Sequence, residues 1–265
     1  MNYRHGYHAG NFADVVKHIA LIAILAHLKK KDAPFAVIDT HAGRGAYDLA
    51  GEQARKTGEA GNGIGLLKNL AAPLPDALAA YLEIAGQGET YPGSPLIAAR
   101  LMRPSDRLVA IEKHPEEAEL LQQVLAPWRK AGVEEADAYA RLPRLLPPAE
   151  RRGLILIDPP FEAADEFALL AAGLRAAYRR FATGIYLIWY PIKTPGAAEA
   201  FVGEALATGA RALTIEIGIA APEGRLARAG LLVLNPPFGF AAEMTAILAR
   251  LEPALAAKTR LDVRA

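Results

Sequence analysis

At 265 residues the chain sits at the upper end of what one hydrophobic core supports, so a single domain spanning 1–265 is expected, with room for an insertion. The absence of cysteine excludes disulfides, thiolate metal sites and thiol nucleophiles, while 30 Lys and Arg against 29 Asp and Glu leave a net charge of +1 that argues neither for nor against nucleic acid. The longest early apolar stretch, residues 19–26, is too short to cross a bilayer, and the polar opening residues lack the apolar core of a signal peptide, so a cytoplasmic protein with no membrane partner is expected.

The first 31 residues are locally basic: Arg4, Lys17, Lys29, Lys30 and Lys31 face Asp14 alone, and His5, His8, His18 and His27 fall there too. A lysine-rich helix end favoured by the macrodipole accounts for much of this. Apolar runs then recur, ending at Asp39 (FAVID), Glu112 (LVAIE), Asp158 (LILID), Tyr190 (IYLIWY), Ile219 (LTIEIGI) and Asn235 (LLVLN). Their unbroken hydrophobicity suits strands buried on both faces. A weaker seventh strand is expected between Gly132 and Ala138. Helix-like stretches separate most of them, as in PEEAELLQQVLAPWRKAG, with acids at its opening and cations and Gly132 at its close. Alternation of this kind predicts a doubly wound α/β sheet. Between Gly45 and the strand near Leu108 the gap far exceeds a simple crossover. Residues 47–93 are therefore expected to form a small inserted helical subdomain on the C-terminal rim of the sheet, where α/β proteins carry their binding loops.

The chemistry-bearing residues stand at strand ends. In DTHAGRG (39–45), Gly43 and Gly45 permit a tight turn and close backbone approach to a ligand, although a turn alone would explain them. Glu112 ends the next strand, where an acid can accept ribose hydroxyls or simply meet solvent; Asp137 can take an exocyclic amine or cap a helix. In DPPF, Pro159 and Pro160 lock φ and remove two donors, which holds Asp158 and Phe161 in a fixed relation as an acceptor cup with an aromatic lid. A planar base with an exocyclic amine fits such a cup, since stacking worth roughly 1–3 kcal/mol per base offsets much of the cost of extruding it. A second tetrapeptide, NPPF (235–238), repeats the letters.

The order DTHAGRG, Glu112, Asp137, DPPF resembles class I S-adenosylmethionine-dependent methyltransferases acting on exocyclic amines. YRHGYHAGNFADVVKH, DTHAGRGAYDL, YPGSPLIA, RRGLILIDPPF and RFATGIYLIWYP together resemble the RlmJ family, bacterial large-subunit ribosomal RNA adenine-N6 methyltransferases, over most of the chain to about Phe238. The resemblance implies a Rossmann-like fold with a seven-stranded, mostly parallel sheet whose last strand is antiparallel. It implies S-adenosylmethionine as cofactor and 23S ribosomal RNA as substrate before full subunit assembly, with no metal, for a protein expected to be monomeric. Carried over by residue, Lys17, His18, His41, Gly43, Ser94 and Glu112 would bind the cofactor, Asp137 and Ala138 would face its adenine, and Asp158 would contact both cofactor and substrate as the catalytic proton acceptor. Pro159 and Phe161 would complete the catalytic set, and Tyr3 with Arg4 would touch the RNA. Two positions depart from the family: Phe161 stands where tyrosine is usual, and Ala138 where glycine is frequent. Outside the family, Ser94 could cap the helix beginning at Pro95, His18 could be a core histidine and Lys17 a solvated one. Rival readings are methylation of DNA or of a protein glutamine amide, and noncatalytic RNA binding on the same fold.

Overall fold

The computed structural model describes residues 4–86 and 88–264. Its strands are β1 (Ala36–Asp39), β2 (Ala46–Asp48), β3 (Thr90–Pro92), β4 (Arg107–Glu112), β5 (Ala131–Glu135), β6 (Gly153–Ile157), β7 (Ile185–Pro191), β8 (Ala212–Gly218), β9 (Arg228–Leu234) and β10 (Lys258–Arg264). Eight of them form one sheet in the order β10-β8-β9-β7-β6-β1-β4-β5, and β2 pairs with β3 alone. From β5 through β4, β1 and β6 to β7 all neighbours are parallel. β9 runs against both β7 and β8, and β10 against β8. This is the class I methyltransferase arrangement with one strand more than the seven expected. β10, rather than the strand ending at Asn235, is the last, so two strands oppose the rest. KTRLDVR escapes a search for unbroken apolar runs because an edge strand alternates charged and apolar residues, with solvent on one side.

Successive strand residues feed two cores. Val37, Leu154, Leu156 and Leu187 pack on one face of the sheet, while Ile38, Ile155, Ile157 and Ile188 pack on the other, as the period of two requires. The first core also holds the helix Phe12–Lys29, which starts where the Asn11 side chain accepts from the N–H groups of Ala13 and Asp14, both at 2.9 Å. A surface helix buries one stripe, yet this one buries 15 of its 18 residues. The cause is the segment between β1 and β4: Ile64, Leu67, Leu78, Tyr81 and Tyr91 join the same core. Its helices Glu52–Thr57, Ile64–Leu67 and Asp76–Ala85 are enclosed by the β2–β3 pair, with Ala46 opposite Pro92. Polar residues of the N-terminal helix, Lys17 and His18 among them, thereby become interior groups. Among the described residues no helix is long and apolar enough to cross a membrane.

Candidate active site

Parallel pairing sets Asp39, at the end of β1, opposite Leu156 of β6 and Ala110 of β4, so the turn after β1 and the segment after β6 emerge side by side. Gly43 and Gly45 carry φ of 61° and 81°, the left-handed region that costs glycine least. The Gly43 N–H donates to Glu112 Oε2 at 2.8 Å, and the His114 N–H donates to Glu112 Oε1 at 2.7 Å. Glu112 thus ties the glycine turn to the end of β4 and keeps one further lone pair on each oxygen for a ligand.

Lys17, His18, His41, Gly43, Ser94, Glu112 and Asp158, all singled out from sequence, line one cleft over this sheet edge. Asp137 and Ala138 line an adjoining recess that shares His41 and Glu112. Asp137 also caps the helix Ala138–Leu145 through Ala140 N–H at 3.1 Å and pairs with Lys113 at 3.0 Å. Burial would raise its pKa, but the Lys113 ammonium and these N–H groups hold it below the usual range. Ser94 is not a cap: Gly93 occupies that position, and the Ser94 side chain is buried against the cleft.

Lys17 is the electrostatic centre. Its ammonium donates to Asp14 Oδ1 at 2.7 Å and to Asp158 Oδ2 at 2.5 Å, with only 4% of the side chain exposed. Burial would lower its pKa; the two carboxylates more than offset this and hold it charged. Asp14 also receives His5 Nε2 and the Gly10 N–H, each at 2.9 Å. Although burial opposes its ionisation, His5 and Lys17 keep its pKa well below the usual range. Asp158 Oδ1 makes no hydrogen bond among the described residues.

His41 and His18 are held neutral and oriented. Desolvation pushes His41 down to about 4 and His18 down to about 3. The Thr40 hydroxyl spends its one proton on the Leu156 carbonyl at 3.0 Å, so it must accept from His41 Nδ1–H at 2.8 Å. His41 Nε2 is then an acceptor. His18 Nδ1 lies 2.8 Å from the Tyr91 hydroxyl, which lies 3.1 Å from that of Tyr81, so the inserted segment orients this ring from behind.

Buried polar groups nearly always find partners, and the described exceptions gather here. Both oxygens of Asp39 and Nδ1 of His114 are buried without a hydrogen bond. His114 lines the cleft, and Asp39 lies beneath it, within electrostatic reach of Ser94, Asp158 and Lys17. Burial pushes Asp39 up to about 7; the Ser94 hydroxyl, the Lys17 ammonium and the His41 N–H pull the other way without completing a well-formed hydrogen bond. A cleft with an uncompensated acid below it, acceptors at His41 and Glu112, and an ammonium at Lys17 fits a ligand carrying a cation, hydroxyls and a carboxylate, as S-adenosylmethionine does.

On the other side of Asp158 lies a second recess, bordered by Pro160, Phe161, Trp189 and Lys193. Phe161 adopts φ of 51°, uncommon for an aromatic residue, and is wedged edge-on against Phe167 (4.8 Å) and Trp189 (5.8 Å). Arg4, expected on RNA, is engaged here with Glu116 at 2.8 Å and Glu117 at 3.2 Å. Tyr3 lies outside the described residues.

A family model described as ribosomal RNA large subunit methyltransferase D, RlmJ, matches residues 32–263. The chain belongs to this family of ribosomal RNA methyltransferases. Two curated relatives, each named ribosomal RNA large subunit methyltransferase J, share 41% identity (Escherichia coli K12; 94% of this chain, 91% of the relative) and 38% identity (Haemophilus influenzae; 94% and 92%). A crystal structure of Legionella pneumophila protein LPL1258 superposes with a TM-score of 0.89 at 33% identity, covering 97% of this chain and 98% of that one. A probable spermidine synthase from Corynebacterium glutamicum, with a TM-score of 0.54 and 15% identity, shares the fold alone.

Several further residues surround this cleft that no sequence motif singles out. Asp39 was legible as a strand end but not as an unpaired buried acid. Thr40 and Tyr91 hydrogen-bond His41 and His18. Asp14 lies one helical turn from Lys17, a spacing of three that signals the pair but not its bridge to Asp158.

Proposed function

We propose that the protein transfers the methyl group of S-adenosylmethionine directly, in line, to the exocyclic N6 of one adenosine in 23S ribosomal RNA. The observation that carries this reading is the double exposure of Asp158. Its carboxylate borders both the polar cleft and the aromatic recess of Phe161 and Trp189, and a buried lysine holds it from a third side.

The cofactor, when bound, supplies an electrophilic methyl on a sulfonium centre. Lys17, His18 and Ser94 would hold its amino-acid end, with Asp39 as counter-charge beneath; His41, Gly43, Glu112, Asp137 and Ala138 would hold its nucleoside. On the acceptor side Phe161 stacks on the base, buttressed by Phe167 and Trp189. The lone pair of N6 is delocalised into the ring, so hydrogen bonds from N6–H to Asp158 and to the Pro159 carbonyl favour a more tetrahedral, nucleophilic nitrogen. Lys17 occupies Oδ2 of Asp158, which leaves Oδ1 to accept that bond and, as positive charge develops, the proton. The RNA is met before subunit assembly, by a monomer, in the cytoplasm.

Tritium transfer from labelled cofactor to protein-free 23S RNA, DNA and assembled subunits tests the reading, with digestion to nucleosides to identify N6-methyladenosine. Incorporation is expected into free RNA alone. Asp158→Asn keeps an acceptor but loses the charge, so turnover should fall on the order of 10²–10⁴-fold with cofactor affinity largely intact. No incorporation into any RNA, or a fully active Asn variant, overturns it.

A further inference from the structure

The NPPF turn takes no part in the cleft. β9 opposes its neighbours, so Leu234 pairs with Tyr186 and Ala212 at the end of the sheet where the parallel strands begin. There Asn235 turns with φ of 54°, its side-chain amide donating to the carbonyls of Ala182 and Gly184, both at 2.8 Å, and its N–H to that of Arg211 at 2.8 Å. Pro236 and Pro237 stiffen the chain immediately after it. Phe238 then projects with 96% of its surface exposed, more than any other large apolar side chain among the described residues.

Cations outnumber acids around it. In the sheet, β9 is followed on one side by β8 and on the other by β7, β6 and β1. The helix ends and connections entering those strands carry the cations Arg211, Arg179 with Arg180, Arg151, and Lys29 with Lys30, beside the acids Asp32 and Glu150, the latter paired with Arg107. None of these six cations makes an ion pair among the described residues, and Arg180 Nε donates only to the Leu146 carbonyl at 3.4 Å. Lys29, Lys30 and His27 line a groove that Phe238 also borders, together with the acids Asp76 and Glu243. Helix macrodipoles account for cations in the last turns, such as Lys29, Arg179 and Arg180. They do not account for Arg151 or Arg211, which lie outside helices, nor for an exposed phenylalanine on a pinned turn. In a chain of net charge +1 this is a local cationic surplus around a rigid aromatic ring. Phosphates match the first, and an unpaired base matches the second.

Building on the ribosomal RNA reading above, we infer that this strand-entry rim is a second RNA contact. Arg151, Arg180 and Arg211 take phosphates, and Phe238 stacks on an unpaired base of the same RNA. Arg151 precedes β6 and Asp158 follows it, so rim and catalytic carboxylate stand on the order of 20 Å apart at about 3.3 Å per strand residue. A hairpin of only a few base pairs held at Asp158 falls short of the rim, whereas a long folded fragment can span to it.

The test compares a long 23S fragment with a short hairpin bearing the target adenosine, measuring binding by anisotropy across a salt series and methylation by tritium transfer. For Arg151→Glu/Arg180→Glu/Arg211→Glu, affinity for the long fragment should fall at least about tenfold, and the slope of log K against log salt should flatten by roughly two to three. Phe238→Ala should weaken it by about 5- to 100-fold, with Phe238→Trp restoring it. Turnover of the hairpin and the melting temperature should not change. The inference is overturned if long-fragment binding is unaltered or if both RNAs weaken equally. Failure of the wild type to methylate any RNA sinks the proposed function instead, since the binding arm reads the rim without catalysis.

Discussion

Replacing Asp39 by Asn removes the charge beneath the cofactor cleft and keeps the shape. A carboxyl moved from 3.8 to about 7 by burial is destabilised as its anion by about 4 kcal/mol. The folded pKa lies above the unfolded one, so the contribution to stability is intact below pH ~4 and is lost as pH rises through ~7. At pH 8 the wild type bears the full penalty and the Asn variant none. The amide introduces N–H donors that find no carboxylate, which takes back about 1 kcal/mol. A net gain of about 2–3 kcal/mol remains, or a rise of roughly 5–10 °C in Tm for a chain this size. Near pH 4 the two proteins should be equal, or the variant slightly weaker. Urea unfolding of both without cofactor, at pH 4, 6 and 8, reads this directly. Parallel stabilities across that range, or a variant less stable at pH 8, would refute the claim that an unpaired carboxylate sits there. With cofactor present the order should reverse, because a ligand cation compensates the wild-type acid and leaves the amide nothing to gain.

Lys17→Met leaves Asp14 and Asp158 facing each other without their cation, so stability should fall by about 3–5 kcal/mol in chemical denaturation, as for a buried pair broken from one side. Thr40→Val removes the acceptor that fixes His41; the cofactor Kd measured by calorimetry should rise about tenfold while turnover at saturation changes little. Phe161→Ala should lower kcat/KM for RNA by roughly 5- to 100-fold through lost stacking, and Phe161→Tyr should restore it, with cofactor affinity equal in all three.

The parallel strands were legible because burial on both faces writes itself as unbroken apolar runs, and the parallel pairing of β1 with β6 brings the run ending at Asp158 beside the glycine turn. β10 was illegible for the converse reason: half of its residues face water, so its alternation resembles an ordinary charged tail. Lys17 and His18 were named through family motifs, yet their character came from elsewhere. The segment between β1 and β4 covers the outer face of their helix and turns two polar side chains into buried ones. Lys17 meets Asp158 across 141 residues of chain, His18 meets Tyr91 across 73, and Gly43 meets Glu112 across 69.

The parallel strand runs, the turn at Gly43 and Gly45 and the family were thus written in the residues themselves. It took the assembled sheet to leave Asp39 buried without a hydrogen-bond partner among the described residues and to make His41 present an acceptor. Local periodicity records whether a residue is buried. Charge state and tautomer depend on distant groups that meet only when the strands take their order.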